Sequence, residues 1–171
     1  MLQAVVGIAN LSLLKYNLIF KKTYWLLLLG SILNFNIDLA QAQNSNSNIT
    51  INKNTIAEPL FIQGTSGGTI TALEITQTKN TPTGYCDGFT SQQPNHILTI
   101  DTFFDYLRLE VESSADTTVV VRGAGGVWCN DDASSANPVI EGQWQPGVYQ
   151  VWVGSYQADT NDRYKIKITG K

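Results

Sequence analysis

The stretch Trp144-Gln145-Pro146-Gly147-Val148-Tyr149-Gln150-Val151-Trp152-Val153-Gly154-Ser155 constrains the fold more than any other. Proline presets φ and glycine supplies a positive φ, so Pro146-Gly147 marks a turn. After it, Tyr149, Val151 and Val153 alternate with Val148, Gln150 and Trp152 until Gly154 ends the run. Period-two alternation behind a turn is the pattern of a strand entering a β-sandwich core. The segment specifies architecture and carries no catalytic group.

The rest of the chain follows the same rhythm. Strands are expected at 60–63, 69–77, 96–100, 103–113, 117–121, 127–129, 148–153 and 163–169. The longest sets Leu107, Leu109 and Val111 against Tyr106, Arg108, Glu110 and Glu112, an inside–outside alternation. In the last, Tyr164, Ile166 and Ile168 are expected to face inward, with Lys165 and Lys167 guarding an exposed edge. Gly123-Ala124-Gly125-Gly126 reads as a hairpin turn, since no helix follows to aim amides at a phosphate. No window holds a period of 3.6. About eight mostly antiparallel strands, with turn signals between them, predict an all-β fold: a single jelly-roll-like β-sandwich.

The N-terminal segment has a different grammar. Lys15, Lys21 and Lys22 precede an apolar run over 24–33, and Ala40-Gln41-Ala42 is a small-residue cleavage pattern. That order predicts a secretory signal over 1–42, cleaved after Ala42, although its basic region is unusually long. The apolar run is shorter than the ~20 residues that span a bilayer. Residues 43–57, rich in Asn and Ser, read as a tether with too little apolar surface to offset ordering entropy. The sandwich is expected over 58–171.

Charge and cysteines narrow the setting. The chain carries 11 basic and 14 acidic residues, and removing the lysine-bearing leader makes the remainder more acidic still. Nucleic-acid binding needs a clustered cationic face, so it is not expected. Anionic membrane surfaces are disfavoured for the same reason. An even cysteine count in an exported chain predicts a Cys86–Cys129 disulfide and a secreted or periplasmic location. With His96 as the sole histidine, a zinc site lacks ligands.

Three segments together resemble a known family: Asp116-Thr117-Thr118-Val119-Val120-Val121, Gly126-Val127-Trp128-Cys129-Asn130-Asp131-Asp132, and Pro146 through Ser155. They are similar to the bacterial pre-peptidase C-terminal domain, in the stand-alone secreted form of cyanobacteria and proteobacteria. The resemblance runs roughly over 60–169. It implies a jelly-roll-like sandwich of the kind often appended to secreted proteases as an accessory.

Few residues suggest chemistry. Asn130, Asp131 and Asp132 are candidate calcium ligands, because hard cations take several oxygen ligands; Asp116 and Asn137 could join them. The same residue types also build turns by bonding their own backbone. Trp128, Trp144 and Trp152 are candidates for an aromatic platform, of which Trp144, beside a turn, is best placed to be exposed and to bind a ligand; large aromatics also dominate core burial in small domains, and packing is the competing reading. His96 lacks the setting of a catalytic triad, and Gly64-Thr65-Ser66-Gly67-Gly68 lacks the strand-to-helix context of a nucleophile elbow. Asp101 with Asp105 and Glu110 with Glu112 read as solvated surface pairs. The expected function is a non-catalytic extracytoplasmic module that binds a protein or polysaccharide and needs no certain cofactor. A peptidase-associated hydrolase and a carbohydrate-binding module are the alternatives.

Overall fold

In a computed structural model, residues 47–133 and 136–171 are described. The signal reading for 1–42 lies outside them. In chain order the elements are β1 (Ser47–Ile51), β2 (Leu60–Thr65), β3 (Ile70–Thr71), α1 (Ala72–Thr76), β4 (Asn80–Thr81) and β5 (Gly84–Tyr85). Next come β6 (Phe89–Thr90), β7 (His96–Ile100), β8 (Phe104–Ser113), β9 (Thr117–Gly123) and β10 (Gly126–Asn130). β11 (Val139–Trp144), β12 (Gly147–Ser155) and β13 (Arg163–Gly170) complete the fold.

Two sheets pack face to face as an all-β sandwich. The first runs β1-β7-β12-β9-β10, with β6 and β3 extending the upper part of β12. The second runs β11-β8-β13-β2. All pairings are antiparallel except β1 with β7. Between the sheets lie Leu98, Ile100, Val119, Val121, Tyr149, Val151 and Val153 from one side. Leu107, Leu109, Val111, Ile140, Tyr164, Ile166 and Ile168 meet them from the other. The alternations read in β8, β12 and β13 therefore point as expected. Burying each such side chain stabilises by about 1.5–3 kcal/mol before entropy is charged against it.

From Val151 to Ser155, β12 is buried on both faces. Its outward residue Trp152 packs with Val120, Ala72 and the half-cystines Cys86 and Cys129 in a second, smaller core. The covering segment is α1 and the short β4–β5 hairpin, pinned by the Cys86–Cys129 disulfide across a Cα–Cα distance of 5.1 Å. Arg122 closes the margin, its guanidinium 5.6 Å over the Trp152 ring and donating to the Ile75 carbonyl.

Four expectations are corrected. Residues 47–57 are not a tether: Ser47–Ile51 is a strand alongside β7, and Ile51 and Ile56 are buried in the main core. The alternation Asn48-Ile49-Thr50-Ile51 was masked by the polar composition around it. Residues 69–77 are not one strand, because Thr71 and Glu74 form a capping box that starts α1. β11 was missed: Glu141, Gly142 and Gln143 dilute its apolar signal, and a bulge interrupts its pairing with β8. Lys165 and Lys167 do not guard an edge, since β13 lies between β8 and β2. They face glutamates instead, with Lys165 Nζ 2.7 Å from Glu112 and Lys167 in register with Glu110.

Candidate functional site

β10 ends the first sheet and β11 ends the second, and the two strands do not pair. Where they part, a cleft of about 290 Å³ opens, near the lower end of small-ligand pockets. Its aromatic floor comes from three strands. The ring centroid of Trp128 in β10 lies 6.3 Å from that of Tyr149, and that of Trp144 in β11 lies 5.0 Å from it. Tyr149 is fully buried and donates its hydroxyl to the Gln145 carbonyl at 2.8 Å. Burial raises the phenol's pKa, so it stays neutral.

Two glycines shape the space. A Cβ on Gly123 would lie 2.2 Å from Tyr149 Cδ1, so only glycine there lets the tyrosine ring seat under the β9–β10 turn. Gly142 lies between Ile140 and Trp144, the buried residues of β11, and a Cβ there would meet nothing within 4 Å. The missing side chain helps leave the cleft unfilled. Its φ of +142° also suits glycine at the bulge. Around the rim stand Thr83, Ala124, Gly125, Gln143 and Gln145.

The charge near the cleft is held elsewhere. Glu141 accepts hydrogen bonds from Arg108 and Tyr106 on the outer face of the second sheet. Arg108 holds its carboxyl below the usual carboxylate range. The amides of Gln143 and Gln145 make no hydrogen bond among the described residues, and both side chains are exposed. The cleft thus combines an apolar aromatic floor with neutral donors and acceptors.

The proposed tryptophan platform is split by the structure. Trp128 and Trp144 share the cleft, whereas Trp152 lies on the opposite face of its sheet. Of the two readings for Trp144, packing holds and exposure does not: it is 5% exposed, wedged between the sheets against Tyr149. Trp128 is the partly exposed one. Tyr149, read only as a core residue, is the ring that joins the other two. Its place in the inward alternation of β12 gave no sign of that.

His96 is fully buried between the sheets. Its Nδ1 is 2.6 Å from Ser47 Oγ and its Nε2 2.7 Å from Tyr164 Oη, a bridge from β1 and β7 to β13. Desolvation lowers its pKa to about 4, and that of Tyr164 is pushed up by burial. A serine does touch this histidine, but a phenol stands where a triad has its carboxylate. Ser66, in the glycine-rich loop, is likewise buried, 2.8 Å from Ser155 Oγ and accepting from the Asp162 amide.

The Asn-Asp loop divides in two. Asn130 turns inward, donating to the Thr83 carbonyl at 2.7 Å and accepting from the Val139 amide at 3.1 Å, so it latches the β4–β5 hairpin to the start of β11. Asn137 similarly brackets Ser113 through both ends of its amide. Asp131 accepts from the Asp132 amide. The Asp116 carboxyl is raised by its own burial and by the charges of Asp132 and Asp131. Among the described residues, no three His, Cys, Asp or Glu side chains are grouped to hold a metal ion. Asp105 pairs with Lys53, and Glu110 with Arg108, as surface ion pairs.

No protein-family model matches the sequence. An uncharacterized protein of Synechococcus elongatus is 27% identical over 88 residues, which cover 49% of this chain and 65% of that relative, just short of two thirds of its length. Among solved structures, the pre-peptidase C-terminal domain of a collagenase from Bacillus anthracis superposes with a TM-score of 0.43 at 11% identity, over 72% of this chain and 96% of that one.

Proposed function

We propose that the chain is an exported, non-catalytic β-sandwich module that binds a partner outside the cytoplasm through the cleft between β10 and β11. The observation that carries this reading is the cleft itself: an aromatic floor held by Gly123 and left open by Gly142, rimmed by unengaged amides. A pocket with an apolar floor and a few polar groups is the usual form of a ligand site. The buried disulfide supports an oxidising compartment, where such bonds persist. His96, the residue best suited to acid–base chemistry, is spent on a buried bridge.

Two experiments test the reading. Protein recovered from the exported fraction is expected to begin at Gln43 by mass spectrometry; an intact Met1 would refute cleavage at that site. Incubation with general peptide, ester and glycoside substrates is expected to yield no turnover. Turnover that His96→Ala abolishes would replace the binding module with a hydrolase.

A further inference from the structure

We infer that the cleft takes one pyranose ring of a neutral polysaccharide or oligosaccharide, stacked on Trp128. This rests on the cleft being the binding site proposed above and adds the chemistry of its ligand. A pyranose presents an apolar C–H face and an equatorial belt of hydroxyls. It therefore needs an aromatic surface beneath it and uncharged hydrogen-bonding groups around it. Both are present. Trp128 is the partly exposed ring, packed at a tilt against Tyr149, which in turn packs against Trp144. Gln143 and Gln145 bring side-chain amides, each with two donors and an acceptor, to the rim, and the Thr83 hydroxyl, which donates to the Cys129 carbonyl at 2.8 Å, can only accept there.

Charge decides against acidic sugars. Among the described residues no lysine or arginine lines the cleft, and the one carboxylate that does, Glu141, is committed to Arg108 and Tyr106. An anionic glycan would find no counter-charge there. Size agrees with a single ring: about 290 Å³ holds one sugar residue, with the chain leaving past the small residues Ala124 and Gly125. Both are exposed and add little bulk at that exit.

The test is a tryptophan-fluorescence titration of the exported protein with neutral gluco-, xylo- and chito-oligosaccharides. An acidic oligosaccharide and a proline decapeptide serve as comparison probes. At least one neutral oligosaccharide should quench emission in a saturable way. Trp128→Ala should weaken that binding at least tenfold and Gln143→Ala several-fold. Trp128→Phe, which keeps an aromatic face and the core packing, should retain most of it; this variant keeps the test sound if the alanine protein folds poorly. Absence of saturable quenching by any neutral oligosaccharide would overturn the proposal. So would binding that all three variants leave unchanged. Binding of the proline peptide instead would overturn the sugar assignment while sparing the binding module, whereas cleavage of a bound oligosaccharide would overturn both.

Discussion

His96 offers a stability prediction that can be worked to a number. It is the only histidine in the chain, so few other side chains change charge between pH 5 and 7. Unfolded, it takes a proton near 6.5; folded, burial holds its pKa at about 4. Its two partners are hydroxyls, and both could turn to accept from an imidazolium. The obstacle is thus desolvation of the charge. Because the folded pKa is depressed, the contribution is fully present above about pH 6.5. It is lost as pH falls towards 4, where the unfolded state has bound a proton that the native state still excludes. The full loss is about 3 kcal/mol, and about 2 kcal/mol of it falls between pH 7 and pH 5.

Urea denaturation at half-unit pH steps, on the wild type and on His96→Gln, isolates this effect. The variant will be less stable at neutral pH, but its stability should vary with pH by about 2 kcal/mol less over pH 7 to 5. Subtraction removes what the carboxylates contribute, including the raised Asp116. NMR of the native imidazole should show no titration until near pH 4. Parallel pH profiles for the two proteins, or a native imidazole titrating near 6.5, would refute the reasoning.

Four other outcomes follow from the fold. Ile51→Ala should cost about 2–5 kcal/mol, as for a fully buried core residue, and a neutral result in thermal melting would return 47–57 to the status of tether. Cys86→Ala, opening a link between residues 43 apart, should lower stability by about 4 kcal/mol and speed hydrogen exchange across α1 and the segment over Trp152; unchanged exchange there would separate the disulfide from that second core. Asn130→Ala should cost about 1–3 kcal/mol by leaving the Val139 amide and Thr83 carbonyl without their partner. Millimolar Ca²⁺ should leave the melting temperature of the wild type unmoved, whereas a rise abolished by Asp131→Ala with Asp132→Ala would establish a calcium site.

What was legible in the sequence was whatever alternates cleanly. β8 and β13 announce both their faces because a less buried residue separates each inward pair, β12 shows its inward face but not that Trp152 is covered as well, and the two cysteines announce their bond through even number in a chain expected to be exported. β1 and β11 were hidden for opposite reasons. In β1 the inward residues are correct but the composition is that of a linker, and only the parallel partner β7 makes the strand worth forming. In β11 a glycine replaces the inward side chain where the cleft opens, so the feature that creates the site erases the pattern that would reveal it. Trp144 shows the limit of local reasoning in another way. Its place beside a turn suggested exposure, yet that turn carries the chain from one sheet to the other and folds the ring inward.

The indole N–H signals of the domain test the central claim most directly. Trp128 of the first sheet and Trp144 of the second lie in the cleft, and Trp152 lies on the far face of the first sheet, so the protein carries its own control. In a ¹H–¹⁵N titration with neutral gluco-, xylo- and chito-oligosaccharides, the Trp128 indole and the Gln143 and Gln145 side-chain amides should shift together, while Trp152 stays in place. Shifts centred on Trp152, or around His96 with the cleft signals unmoved, would contradict a binding module that works through the gap between β10 and β11.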